Sequence, residues 1–208
     1  MRRSRKRWSD SISATAVRDV PVPLDAEGHA TVSAMHAYAR TFALLGVAPG
    51  DRVLDLGAGS GYGTALLAHL VGAAGQAVGV EIDPELVAAA GLALDDVAHA
   101  AVSEGDAIDP AAWPEAARRC TKVAVGFALA AIPEAWFDAL GPDAVIVAPV
   151  GTADEQLLVR ARRSEGAVVL ETFDAVRYVP TRRSVARPAA DATRGDVVRS
   201  PARHLPVV

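Results

Sequence analysis

Cysteine is almost missing from this chain: Cys120 is the only one in 208 residues. One thiol excludes an intramolecular disulfide, and histidines at 29, 36, 69, 99 and 204 show no metal-ligand spacing. The expectation is a cytoplasmic protein without a metal. Aromatic residues are scarce at 5%, so alanine, valine and leucine must build the core. No run of about 18 apolar residues escapes a charge or a turn residue, which argues against a membrane span. The basic start, Arg2 to Arg7, is followed by polar residues and so does not read as a secretory signal.

Charge is present but unevenly placed. Five basic side chains and no acid fall in residues 1–7, and six arginines face Asp191 and Asp196 in residues 182–208. Between them, residues 8–181 carry 10 basic against 23 acidic side chains, a net of −13. An acidic body excludes the basic face expected of a nucleic-acid binder. Two readings of the basic ends stay open: poorly ordered tails over 1–19 and 182–208, or arms that gather an acidic peptide. The intervening residues 20–181 read as one domain, expected to be a monomer.

Within that domain, Val20-Pro21-Val22-Pro23 reads as extended chain, because each proline restricts the residue before it. Met35, Tyr38, Phe42 and Leu45 recur at helical spacing and stop at Gly46. Short apolar strands are predicted over 52–56, 77–82, 100–103, 122–127 and 144–149, with helices over 62–71, 84–94 and 133–140. Asp83 is the expected cap of the helix that Pro84 opens. Two further strands, 155–163 and 168–178, flank Ser164-Glu165-Gly166-Ala167 as a hairpin. Alternating strands and helices predict an α/β, Rossmann-like fold: a mostly parallel, doubly wound, seven-stranded sheet with a C-terminal antiparallel hairpin.

The stretch from Val53 to Ala68 carries the chemistry. It ends a strand, turns tightly at Gly57, Ala58 and Gly59, and enters a helix at Gly61 and Tyr62. Gly57 and Gly59 let the backbone approach a ligand, and Gly61 is expected to let the helix pack against the strand. Such a turn alone also suits a nicotinamide enzyme. Asp55 separates the two, because a carboxylate there attracts a cationic amino-acid moiety and repels a pyrophosphate. Glu81, with Ile82 beside it, ends the next strand, where a carboxylate grips the ribose hydroxyls with both its oxygens. Gly105, Asp106 and Ala107 follow the third strand, where Asp106 can accept from an adenine amino group. Three acids on three successive strand ends predict S-adenosyl-L-methionine as the cofactor.

Beyond the cofactor motif, the chain resembles the protein-L-isoaspartate (D-aspartate) O-methyltransferases from about Val22 to Pro180. The resemblance is carried by residues 28–39 (GHATVSAMHAYA), 49–72, 78–86 (VGVEIDPEL), 148–151 (APVG) and 176–180 (VRYVP). It implies methyl esterification of an abnormal aspartyl side chain, after which the ester loses methanol and closes to a succinimide. It implies also that Thr31, Val32 and Ser33 line the acceptor cleft, with Ser33 as the hydroxyl that contacts the acceptor. Ser33 alternatively sits where a helix N-cap would. His36 matches a histidine of some members, although a packed or surface histidine fits equally. Departures point to a specialised member: Met35 follows Ala34 where the family carries a proline, and the loop is about two residues shorter. Lys122 stands where an aspartate often leads the strand, and Pro142-Asp143 replaces a Gly-Gly turn.

The leading expectation is therefore O-methylation of an aspartyl or isoaspartyl carboxylate, with tailoring of a ribosomally made peptide, for which an acidic or macrocyclic form is a candidate, favoured over general isoaspartate repair. Methylation of a nucleic acid or small molecule has no supporting motif. A catalytically silent, cofactor-binding subunit that recruits a peptide is the alternative from another class.

Overall fold

The computed structural model describes residues 19–25 and 30–181. The tails expected over 1–19 and 182–208 lie outside the described residues, Asp19 excepted. Two short strands, β1 (Val22–Pro23) and β2 (Thr31–Val32), pair antiparallel with Val22 opposite Val32. Helix α1 (Met35–Leu45) follows at once and ends at Gly46, which adopts the left-handed conformation a C-terminal cap requires. Ser33 is not its cap: the N-cap is Ala34, which offers no side-chain bond. The orphan N–H of His36 is met instead by Asp19 Oδ1 at 3.0 Å, from outside the helix.

The main sheet holds seven strands: β3 (Arg52–Leu56), β4 (Gln76–Glu81), β5 (Ala100–Glu104), β6 (Lys122–Val125), β7 (Val145–Gly151), β8 (Gln156–Ser164) and β9 (Ala167–Val176). Their order is β5-β4-β3-β6-β7-β8-β9. The first five are parallel, and β8 and β9 add the antiparallel pair. The chain runs outward from β3 to β5 and then restarts at β6 on the other side of β3. A crevice opens at such a reversal, beyond the carboxyl ends of the strands. As a central parallel strand must be, β3 is buried on both faces, with Val53, Leu54 and Leu56 fully inaccessible.

Helices cover both faces. On one, Phe42, Leu44 and Leu45 of α1 and Leu67, Ala68 and Val71 of α2 (Tyr62–Val71) pack on Val53, Ala77, Ala124 and Val147. On the other, α4 (Glu134–Leu140) and two 3-10 turns at Pro110–Ala112 and Glu115–Arg119 bring Trp113, Trp136 and Phe137 against Leu54, Val80, Val123 and Ile146. Burial of this kind contributes about 25 cal/mol per Å² of apolar surface. Between β4 and β5, α3 (Pro84–Ala93) is capped by Asp83, whose carboxylate accepts from the Glu85 N–H. Lys122, at the head of β6, reaches the Gly46 carbonyl at the end of α1 and pairs with Asp51 at 2.5 Å. A cation there serves the end of α1, which an aspartate could not do. None of the described helices is long and apolar enough to cross a membrane.

Candidate functional site

Strand β3 leads directly into the glycine turn. Gly57 has φ +77°, and a Cβ on it would stand 2.6 Å from Cδ1 of Phe127. Only glycine satisfies both the conformation and the contact. The role of Gly61 differs from the sequence expectation. It begins α2 at φ +79°, and its bare Cα faces Ala90 of α3, at 2.9 Å from a built Cβ. The close approach is between two helices, not between helix and strand. Tyr62 also turns out of the crevice: its hydroxyl donates to Met35 Sδ at 3.3 Å, and its ring lies 5.8 Å from that of Tyr38.

Around the turn lie two adjoining cavities. The larger is walled by Gly57, Gly59, Glu81, Ile82, Asp106 and Phe127, and is bordered by Val179, Pro180 and Thr181. Ala107 and Ile108 complete it. Glu81 is nearly inaccessible and ties the site together: Oε2 accepts from the Gly59 N–H at 2.8 Å, and Oε1 from Ile82 and Asp83 at 2.8 and 3.0 Å. Three bonds out of about four acceptor positions leave roughly one for a ligand, so the two-handed grip expected for Glu81 is narrowed. Asp106 accepts from the Ile108 N–H at 3.0 Å, folding its own loop. Two indoles hold that loop from beneath, Trp113 donating to the Ala107 carbonyl and Trp136 to that of Ile108. Gly105 supports it from the other side, its N–H bonded to the Glu81 carbonyl at 2.9 Å.

The second cavity shares Gly57, Gly126 and Thr31 with the first. Asp55, Tyr38, Thr41 and Tyr178 line it, and Thr31, Val32 and Ser33 form its outer wall. Asp55 is 6% exposed and accepts from Thr64 Oγ1 at 2.7 Å. Burial is the main cause that pushes its carboxyl up to about 6; the Thr64 bond opposes this and the Glu81 charge adds to it. Tyr38 accepts from the Ser33 N–H at 3.3 Å and so pins the outer wall to α1. Burial holds the Tyr38 phenol far above its usual range, which keeps it protonated.

Outside Ser33 a broad groove runs past Ala34, His36, Arg40, Arg177 and Tyr178. His36 stands on its rim, largely exposed, with Nδ1 3.0 Å from Asp19 Oδ2. The structure thus brings Thr31, Val32, Ser33, Asp55, Gly57, Ala58, Gly59, Glu81, Ile82, Asp106 and Ala107 to one crevice, and leaves Gly61 and Tyr62 behind it. Sequence reasoning missed Tyr38, Phe127, Tyr178 and Val179. Tyr38 looked like one more apolar helix position, and Tyr178 like the end of a strand.

A family model described as protein-L-isoaspartate (D-aspartate) O-methyltransferase matches residues 2–186. Protein-L-isoaspartate O-methyltransferase 1 of Arabidopsis thaliana is 39% identical over 171 residues, 77% of this chain and 73% of that one. A protein-L-isoaspartate O-methyltransferase of Anaeromyxobacter dehalogenans is 36% identical over 175 residues, 83% of this chain and 81% of its own. Among solved structures, a Plasmodium falciparum protein assigned as a protein-L-isoaspartate O-methyltransferase, in complex with S-adenosyl-L-homocysteine, superposes with a TM-score of 0.65 at 21% identity. That match covers 78% of this chain and 79% of the other, and at such identity it bears on the fold alone. Together with the three acids at the strand ends, the family match over residues 2–186 makes S-adenosyl-L-methionine the cofactor and places this chain in the protein-L-isoaspartate (D-aspartate) O-methyltransferase family.

Proposed function

We propose that this chain esterifies the side-chain carboxylate of an aspartyl or isoaspartyl residue in a peptide or protein, and that the ester then closes to a succinimide. The carrying observation is the Thr31–Ser33 segment, pinned to α1 through Tyr38 and forming the partition between the Asp55 cavity and an open groove. The residues present fit the cofactor. Asp55 is a buried carboxylate with acceptor capacity left for an ammonium group, which would relieve the cost of its burial. Glu81 offers its remaining acceptor position to a ribose hydroxyl, and Asp106, which also lines the larger cavity, suits an adenine amino group.

When bound, the cofactor supplies a methyl group on a sulfonium, which the acceptor oxygen takes as the carbon–sulfur bond electrons return to sulfur. No proton moves in that transfer, so the chain needs no general base, and its contribution is alignment and exclusion of water. Ser33 presents its hydroxyl to the acceptor oxygen at the partition. Phe127, Val179 and Pro180 supply an apolar lining. Thr31 and Val32 hold the partition in place through the β1–β2 pairing.

A second reading within the same chemistry is tailoring of a normal aspartate in a constrained, acidic, ribosomally made peptide. The observation favouring it is the short passage from Ser33 through Ala34 straight into α1, which leaves the groove beside Ser33 wide. Parallel assays with a linear isoaspartyl peptide and an aspartate-containing macrocycle separate the two. High efficiency on the linear isoaspartyl peptide excludes dedicated tailoring, and no methyl transfer to either excludes the proposal as a whole.

A further inference from the structure

We infer that Gln156 is a positioning residue that fixes one wall shared by the cofactor cavity and the acceptor groove. Gln156 is 4% exposed and opens β8, opposite Val176 at the end of β9. Beyond Val176 the main-chain ladder stops, yet the Gln156 side chain carries it one step further. Its Oε1 accepts from the Tyr178 N–H at 2.8 Å, and its Nε2 donates to the Tyr178 carbonyl at 3.1 Å. A primary amide is the side chain that offers a donor and an acceptor side by side, as a neighbouring strand would.

What this clamp holds is the wall itself. Tyr178 lines the Asp55 cavity together with Thr41 of α1. Val179 and Pro180 line both the larger cavity and the groove. The Val179 carbonyl accepts from the Ala128 N–H at 2.8 Å, and Pro180 bridges to Ala128 beyond the end of β6. The segment is therefore anchored at two points, to the sheet through Gln156 and to the crevice through Ala128. Loss of the first anchor leaves a part-buried N–H and carbonyl without their protein partner and frees the wall to shift. Because the wall belongs to both spaces, cofactor affinity and acceptor KM must weaken together. The acceptor half of this inference rests on the proposed function; the cofactor half does not.

The test uses the full-length protein with Gln156→Met and Gln156→Glu. Methionine keeps the volume and removes both bonds. A neutral glutamic acid has the same donor–acceptor pair as the amide, and loses the donor when it ionises. S-adenosylhomocysteine affinity is measured by calorimetry from pH 5.5 to 8, with KM for an isoaspartyl peptide and the thermal midpoint alongside. The expected result at pH 8 is an affinity loss of about tenfold in both variants, with a parallel rise in KM. Relative to wild type at the same pH, Gln156→Glu recovers as the pH falls, whereas Gln156→Met does not. Affinities and KM within twofold of wild type at every pH, or a Gln156→Glu defect that ignores pH, overturn the inference, whatever the thermal midpoint. Should the wild type fail to methylate the peptide, the proposed acceptor is wrong and the calorimetric arm still decides the role of Gln156.

Discussion

Thr64 Oγ1 donates to Asp55 Oδ2 at 2.7 Å, tying the first turn of α2 to the carboxylate that ends beside the glycine turn. Both groups are buried, and the bond does not offset the cost of hiding the charge: burial leaves the Asp55 carboxyl at about 6, against 3.8 in the open. With the folded value raised, Asp55 favours the native state at acidic pH and loses that contribution as pH rises from about 4 through about 6. Above that window the ionised group costs the empty protein up to about 3 kcal/mol.

Asp55→Asn keeps an acceptor for Thr64 and removes the charge. The unliganded variant is expected to be more stable than wild type by about 1–3 kcal/mol at pH 7.5, read as a higher thermal midpoint. Affinity for S-adenosylhomocysteine is expected to fall at least tenfold, since an ammonium loses its counter-charge. A destabilised variant that binds normally would contradict both assignments.

Cofactor affinity in the wild type follows the same group. An ammonium ligand binds the ionised carboxylate, so affinity is expected to be flat above about pH 7 and to decline as pH drops through about 6. Calorimetric titrations from pH 5 to 8.5 measure this, and Asp55→Asn should flatten the acidic decline.

Ser33→Ala separates the acceptor side from the cofactor side. The Ser33 N–H, not its hydroxyl, holds the partition to Tyr38, so the variant should keep its thermal midpoint within a few degrees. kcat/KM on an isoaspartyl peptide should fall roughly 10–100-fold, the loss of one hydrogen bond to a charged group, with S-adenosylhomocysteine affinity unchanged. Equal loss on both sides would make Ser33 a cofactor contact.

Gly57→Ala places a methyl group against the Phe127 ring in a backbone conformation that disfavours it. A stability loss of about 1–3 kcal/mol is expected, together with weaker cofactor binding, because Phe127 and Gly57 line the same cavity. A variant with normal stability and binding would mean that the turn is not needed in this shape.

The main sheet was readable because each parallel strand is a short apolar run punctuated by glycine, proline or aspartate, as at Gly46, Pro49-Gly50 and Asp83-Pro84. Strand ends shifted by a residue or two, and Phe127 left β6 to face the crevice. β1 and β2 stayed hidden because two residues each carry no periodicity, and their pairing depends on each other. Pro110 and Pro114 broke the pattern over the 3-10 turns, concealing the indole of Trp113 that supports the Asp106 loop. In the site, acids at strand ends could be placed by order alone. Gln156 and Tyr178 could not, because their meaning lies in a contact across 22 residues of hairpin.

The central claim, carboxyl methylation at the partition formed by Thr31–Ser33, is tested most directly by methyl transfer to an isoaspartyl peptide and to an aspartate-containing macrocycle. Base-labile methyl ester is followed as released methanol, with S-adenosylhomocysteine binding measured on the same preparation. The expected result is methanol release from at least one of the two, with succinimide as the peptide product and a signal roughly 10–100-fold weaker in Ser33→Ala. Tight S-adenosylhomocysteine binding with no methanol from either acceptor would contradict the account and leave a protein that binds the cofactor without esterifying a carboxylate.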